Sequence, residues 1–343
     1  MTTTTKTATR RAARVLLLAL STLGAVVPAG AAAQGTVTLT LENDLFSGSD
    51  NNYTNGLGLT WVSDAVRSGD PGLVGRWTRF WSFLPLVGDE AYTTYASWAL
   101  AHEMNTPDDI TDPNPSPDDQ PYAGILAVDS ILYVHRRHWT HAWQLRLGVV
   151  GPASGAGALQ RRVHRIVGAD TPRGWHTQLP NEPVVNIGYS VAHRIAGGRA
   201  AGSAEWRLVP VASVGLGNYF TGAGVGIYGE FGWNLVDALG VSALRSGLNA
   251  ASTVGVGRVD GWSASLFAGV GSYAVGRYLP LDGTLLRRSR SVDTRHRVDL
   301  VSGGLCLRRH DLTLSLAWTR FPDLFPTQRR GTDFGTLSVS WAM

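Results

Sequence analysis

Apolar and polar residues alternate with a period of two over most of this chain, the spacing of strands whose two faces meet different surroundings. Val37, Leu39 and Leu41 interleave with Thr38, Thr40 and Glu42, and Leu57, Leu59 and Trp61 with Gly56, Gly58 and Thr60. The rhythm returns in Trp143, Leu145, Leu147 and Val149, in Val185, Ile187, Tyr189 and Val191, and in Trp262 through Val270. It closes with Leu312, Leu314, Leu316 and Trp318, then Leu337, Val339, Trp341 and Met343. The pattern predicts twelve strands, at about 36–44, 53–63, 94–104, 122–135, 139–150, 183–194, 204–215, 222–234, 261–274, 295–307, 311–320 and 334–343.

An even number of such segments, separated by turn residues, is the signature of a membrane barrel with an apolar outer face. Trp61, Trp139, Trp206, Trp233, Trp262, Trp318 and Trp341 fall near strand ends, as interfacial aromatic girdles require. A soluble sandwich would alternate in the same way. The start and end of the chain decide for the barrel. Arg10, Arg11 and Arg14 precede the apolar run Val15–Val27 and the small residues Ala31-Ala32-Ala33, which together read as a secretory signal. The last strand alternates up to Met343. The expected fold is all-β: a transmembrane antiparallel β-barrel of about 12 strands with a short helix in an extracellular loop. Residues 1–33 are expected to be a signal peptide removed on export. Residues 34–343 would form a single barrel domain, integral to the bacterial outer membrane.

Composition narrows the function. Charged residues are 16% of the 343, and the net charge is +4. Lys6, Arg10, Arg11 and Arg14 account for all of that excess, so the basicity belongs to the leader and gives no support to nucleic-acid binding. Cys306 is the only cysteine, which excludes an internal disulfide framework and any multi-cysteine metal site. No Gly-x-Ser-x-Gly and no His-Glu-x-x-His occurs, so neither the hydrolase elbow nor the zinc-protease helix is supported.

Three loops stand out. Residues 105–120 are rich in Pro and Asp. Residues 154–167 read as a short helix with Ser154 as N-cap, an apolar stripe of Leu159, Val163, Ile166 and Val167, and a polar face of Gln160, Arg161 and His164. Span 284–297 concentrates arginine (Arg287, Arg288, Arg290, Arg295, Arg297), either to meet anionic head groups or simply as a solvated loop. The first two strands also bring Asn43, Asp44, Thr54 and Asn55 together at one end. These are hard oxygen donors of the kind Ca²⁺ takes, and equally the residues that turns use. His164 is the best general-base candidate, since an imidazole can accept a proton near neutral pH.

Four segments in order resemble the lipid A 3′-O-deacylase family. They are Glu42-Asn43-Asp44-Leu45-Phe46 with Asp50 to Gly56; Thr106-Pro107-Asp108 to Gln120-Pro121-Tyr122-Ala123-Gly124; Gly151-Pro152-Ala153-Ser154-Gly155 to His164; and Gly174-Trp175-His176-Thr177-Gln178-Leu179 to Glu182-Pro183. The resemblance implies a twelve-stranded outer-membrane esterase that removes 3′-linked acyl or acyloxyacyl chains from the lipid A of lipopolysaccharide. It implies Ca²⁺ as cofactor, with Asn43 and Asp44 as ligands, and Asn43, Asp44, Thr54 and His164 as the catalytic set; Asp170, six residues beyond His164, would either orient that histidine or add a metal ligand. His164 would be the base that activates water, and the barrel is expected to act as a monomer. Two positions depart from the family. The chain beyond Lys6 contains no lysine, where the family uses an active-site one, and the family's Asp-Arg-Pro-Tyr-Ala-Gly reads Asp119-Gln120-Pro121-Tyr122-Ala123-Gly124. The alternatives carried forward are a non-catalytic structural or transport barrel and an outer-membrane phospholipase.

Overall fold

A computed structural model describes residues 35–43, 52–66, 69–200, 204–236 and 258–343. The expected signal peptide and Asp44 lie outside the described residues, as does the side chain of Thr54. The strands are β1 (Gly35–Asn43), β2 (Asn52–Ser63), β3 (Thr93–Thr106), β4 (Ala123–Arg136), β5 (Trp139–Val150) and β6 (Glu182–His193), followed by β7 (Ala196–Arg199). Then come β8 (Ala204–Gly217), β9 (Phe220–Trp233), β10 (Val259–Tyr278), β11 (Arg297–His310), β12 (Leu312–Phe321) and β13 (Thr332–Ala342). Each long strand pairs antiparallel with its neighbours. β1 pairs with β13 and β6 with β8, which closes a ring of twelve. The short β7 adds a thirteenth strand that the alternation does not announce; it pairs only with β8, just past the end of β6. No helix among the described residues is long and apolar enough to cross a membrane.

Alternation sorts the side chains as a barrel in lipid requires. Thr38 and Thr40 face inward and hydrogen-bond Ser340 and Ser338 of β13 (2.9 and 3.1 Å). Leu57, Leu100, Val128, Leu147 and Ile187 face outward and are exposed. The tryptophan girdle proves one-sided. Trp139, Trp206, Trp233, Trp262 and Trp341 are exposed near the strand ends that share a rim with the start of β1, and Trp318 alone lies toward the other. The first rim is the periplasmic one for an exported chain whose first strand starts there, and its short turns, at 137–138 and at Asp311, fit that side.

The lumen is filled. A buried ion network crosses it: Arg146 donates through Nε and Nη2 to Asp129 (2.8 and 2.9 Å) and through Nη1 to Glu103 (2.8 Å). Tyr219 Oη donates to the other oxygen of Glu103 (2.9 Å), and its ring lies 4.4 Å under the guanidinium. Toward the extracellular rim an apolar core takes over, built from Tyr273, Leu300, Phe321 and Phe334 of the wall together with Leu279 and Leu281 of a one-turn helix (Leu279–Asp282) that the loop after β10 tucks inward. The ion network and this apolar cluster are stacked within the described lumen.

Two helices lie on the barrel. Helix α1 (Leu73–Phe80), in the periplasmic connection between β2 and β3, was not anticipated, although Val74, Trp77 and Trp81 recur at helical spacing. Helix α2 (Ala156–Val167) sits in the extracellular loop between β5 and β6, where the helix was expected.

Candidate active site

The extracellular loops interlock before they present anything. Gln120, at the position of the family's arginine, donates from Nε2 to the Thr106 carbonyl (3.2 Å) and so folds the 107–121 loop back onto the end of β3. The aspartates of that loop accept local backbone hydrogens: Asp109 from Thr111, Asp112 from Asn114, and Asp119 from Gln120 and Asp108. That is turn chemistry. Backbone bonds from Arg173 to Ile110 (2.8 Å) and from Leu179 to Tyr122 (2.9 Å) tie this loop to the next one.

Helix α2 packs against the outside of the barrel wall. Ala156 and Leu159 meet Met104 of β3, Tyr122 and Trp175. Trp175 Nε1 donates to the buried Gln160 Oε1 (2.5 Å), and its ring lies 4.9 Å from that of Tyr122. Burial raises the Tyr122 phenol to about 12, so it remains a neutral donor to the Ile110 carbonyl (3.2 Å). The buried His102, which faces outward from β3, bonds the Ser154 carbonyl through Nε2 (2.9 Å) and pins the loop just ahead of the helix. The expected N-cap shifts by one residue. Gly155, at φ 72°, caps the helix, while Ser154 Oγ bonds the Gly151 carbonyl (2.7 Å) and receives the Ala156 N–H (3.3 Å).

Close approach demands small residues. A Cβ on Gly124 of β4 would stand 2.3 Å from Ala156 Cβ, and one on Gly157 would stand 2.8 Å from the Trp175 ring. Gly124→Leu is therefore expected to lift α2 off the wall while the barrel still forms. Trypsin cleavage at Arg161, Arg162 or Arg165 in detergent checks this: faster cutting than in the unsubstituted protein is the expected outcome.

Strand register then shows what the helix is set beside. Asn43 of β1 pairs with Asn55 of β2, Asn55 with Met104 of β3, and Met104 with Gly124 of β4. Asn43 shares the outward side of β1 with Leu39 and Leu41 and is itself buried. The end of β1 and the seat of α2 thus share one outer row. Three strand spacings of ~4.8 Å separate Asn43 from Gly124, about 14 Å. Thr54 falls at the β2 bulge between Tyr53 and Asn55, where the register with β3 shifts.

His164 lies two turns into α2 and is half-buried. Its Nδ1 stands 2.6 Å from the backbone carbonyl of Asp170, beyond the left-handed Gly168 that ends the helix. A carbonyl can only accept, so Nδ1 carries the hydrogen and the lone pair of the neutral ring is on Nε2. The carboxylate of Asp170 is exposed and takes no part in this bond. Arg161, Arg162 and Arg165 are exposed on the same helix. Among the described residues no group of three His, Cys, Asp or Glu side chains could hold a metal. The donors offered at the end of β1, with Asp44 next in sequence, are all oxygen, a set suited to a hard cation.

The arginine-rich span 284–297 divides. Arg290 Nη2 donates to the Pro115 and Ser116 carbonyls (2.9 and 2.5 Å), and Arg295 stands 3.5 Å from Asp323. Leu285 and Leu286 are exposed beside Arg287 and Arg288, with their N–H groups held by Glu182 (3.0 and 2.6 Å). The sequence shows Gln120, Tyr122, Gly124 and Trp175 as motif letters and Gln160 on the polar face of the helix, and it gives His102 no special mark. Together these six build the platform for α2.

No curated protein matches the chain. The family described as outer membrane protein LpxR matches it over residues 16–343. Among solved structures, LpxR from Salmonella typhimurium superposes with a TM-score of 0.70 at 19% identity, covering 90% of this chain and 100% of that one. The β domain of the Bordetella autotransporter BrkA reaches a TM-score of 0.43 at 8% identity, covering 90% of this chain and 98% of that one. The protein is an integral outer-membrane β-barrel and belongs to the LpxR family, the lipid A 3′-O-deacylases.

Proposed function

We propose that this barrel is an outer-membrane esterase that hydrolyses a 3′-linked acyl or acyloxyacyl chain of lipid A, at a site between its outer wall and helix α2. The observation that carries the reading is the His164 Nδ1–Asp170 carbonyl bond (2.6 Å), on a helix seated in the same outer row as Asn43. It leaves Nε2 as the ring's base, in a tautomer suited to general-base catalysis. A site on the outer wall, at the extracellular rim, also lies where lipopolysaccharide would present its acyl esters.

In this reading His164 Nε2 accepts a proton from water as the oxygen bonds to the ester carbonyl carbon. The tetrahedral adduct then collapses, the sugar-side oxygen leaves, and the imidazolium returns the proton to it. The products are a free acid and a lipid A hydroxyl. Asp170 orients the ring through its carbonyl. A bound Ca²⁺, held by Asn43 and Asp44, would supply positive charge where the carbonyl oxygen becomes negative. Thr54 would belong to the same wall of the site. With no lysine after Lys6, the exposed cations that α2 itself offers to lipid A phosphates are Arg161, Arg162 and Arg165.

Asp44→Ala is expected to lower hydrolysis of lipid A by at least ~10²-fold, the order seen for loss of one electrostatic stabiliser. Chelation of divalent cations would do the same to the unsubstituted enzyme, and added Ca²⁺ would restore that enzyme but not the variant. Full activity in chelator would remove the cation from the account.

A further inference from the structure

On the other rim, away from α2, the periplasmic connection bearing α1 folds up against the outside of the barrel. Val74, Trp77, Trp81 and Leu84 pack with Leu132 and Val134 of β4 and Trp143 of β5. The segment is fastened to the wall by two indole hydrogen bonds, Trp77 Nε1 to Ser130 Oγ (3.0 Å) and Trp143 Nε1 to the Pro85 carbonyl (3.1 Å). Between this lip and strands β4, β5, β6 and β8 runs a groove of 460 Å³. Its walls are almost wholly apolar, with Trp81 and Leu84 on the lip and Leu132, Trp143, Leu145 and Ile187 on the barrel. Phe80 and Phe83 on the lip remain exposed, as side chains immersed in lipid would be.

The periplasmic end of this groove is cationic. Leu132 pairs with Trp143 and, four residues nearer the rim, Arg136 pairs with Trp139, which pairs in turn with His193. Four residues of strand are about 14 Å. Around that outer row stand Arg136, Arg137 and His138 of the β4–β5 turn and Arg194 after β6, whose guanidinium donates to His138 Nδ1 (3.0 and 2.7 Å). Arg136 lies 5.5 Å over the Tyr92 ring, and Trp139 stacks on His193 at 3.8 Å. Arg136 and Arg137 are exposed. Asp89 and Glu90 lie in the same connection, and Asp89 accepts the Ala91 N–H (2.8 Å).

We propose that this groove and its arginine rim form a binding site for one anionic phospholipid of the periplasmic leaflet, with an acyl chain in the groove and the phosphate among Arg136, Arg137 and Arg194. A chain-wide apolar slot joined to a cationic cluster at head-group distance matches that ligand in both parts. A zwitterionic lipid would satisfy only the first. The site faces the leaflet opposite the proposed ester-cleaving site and does not depend on that reading.

Native mass spectrometry of the detergent-purified barrel with equimolar phosphatidylglycerol and phosphatidylethanolamine of identical chains tests it. One phosphatidylglycerol per barrel is expected, retained at least tenfold over phosphatidylethanolamine. Combined Arg136→Gln, Arg137→Gln and Arg194→Gln should bring the two lipids to parity. Leu145→Trp, which fills the groove, should abolish retention of both, and Ile187→Trp serves if that variant does not fold. Equal retention of the two lipids by the unsubstituted barrel, or an unchanged preference in the triple variant, would overturn the proposal.

Discussion

His164→Ala is expected to reduce release of fatty acid from lipid A by ~10²–10⁴-fold, the usual contribution of a positioned general base, while leaving the barrel folded. The fold should survive because His164 is half-buried and packs into none of the buried clusters, and its ring is held through the Asp170 carbonyl at 2.6 Å. The helix is held from elsewhere, by Ala156, Leu159 and Gln160 against Met104, Tyr122 and Trp175. Purified variant and unsubstituted protein, compared for acid release in detergent and for heat-modifiable migration on gels, separate chemistry from folding. His164→Gln sharpens the test, because its amide can still donate to Asp170 but has no base to offer water. If the glutamine variant keeps full activity, the base is not His164.

The second large effect lies inside the barrel. Arg146→Met is expected to cost about 3–5 kcal/mol, the range for removing one partner of a buried ion group. It strands Glu103 and Asp129, both buried, and takes the cation from over the Tyr219 ring. Urea titration of folding into phospholipid vesicles reads this as a lowered midpoint. Changing Glu103→Gln and Asp129→Asn together with Arg146→Met should recover much of the loss, since no unpaired charge then remains. A loss below ~1 kcal/mol for Arg146→Met would mean that water reaches the network.

The wall of this barrel was legible because lipid on one side and a packed lumen on the other impose a period of two on every strand. Twelve of the strands fall within a few residues of where the alternation puts them, β5 at Trp139–Val150 among them. What alternation does not contain is register. That Asn43, Asn55, Met104 and Gly124 form one outer row follows from strand pairing across 81 residues of sequence. Glu103, Asp129 and Arg146 come from three strands and meet only once the sheet closes. The motif Gln120 to Gly124 was visible as letters, but its work depends on contacts with another loop: Gly124 leaves room for Ala156, and Tyr122 fills the space beside Trp175. Helix α1 was readable from Val74, Trp77 and Trp81 but was masked by the strand rhythm on either side.

The central claim is that this chain cuts an ester of lipid A, and the direct test is the mass of lipid A from a Gram-negative host that expresses it. Lipid A lighter by one acyl or acyloxyacyl group, with the full mass kept when Asp44→Ala or His164→Gln is expressed instead, is the predicted result. Unchanged lipid A, with the unsubstituted barrel folded in the outer membrane and Ca²⁺ supplied, would contradict it.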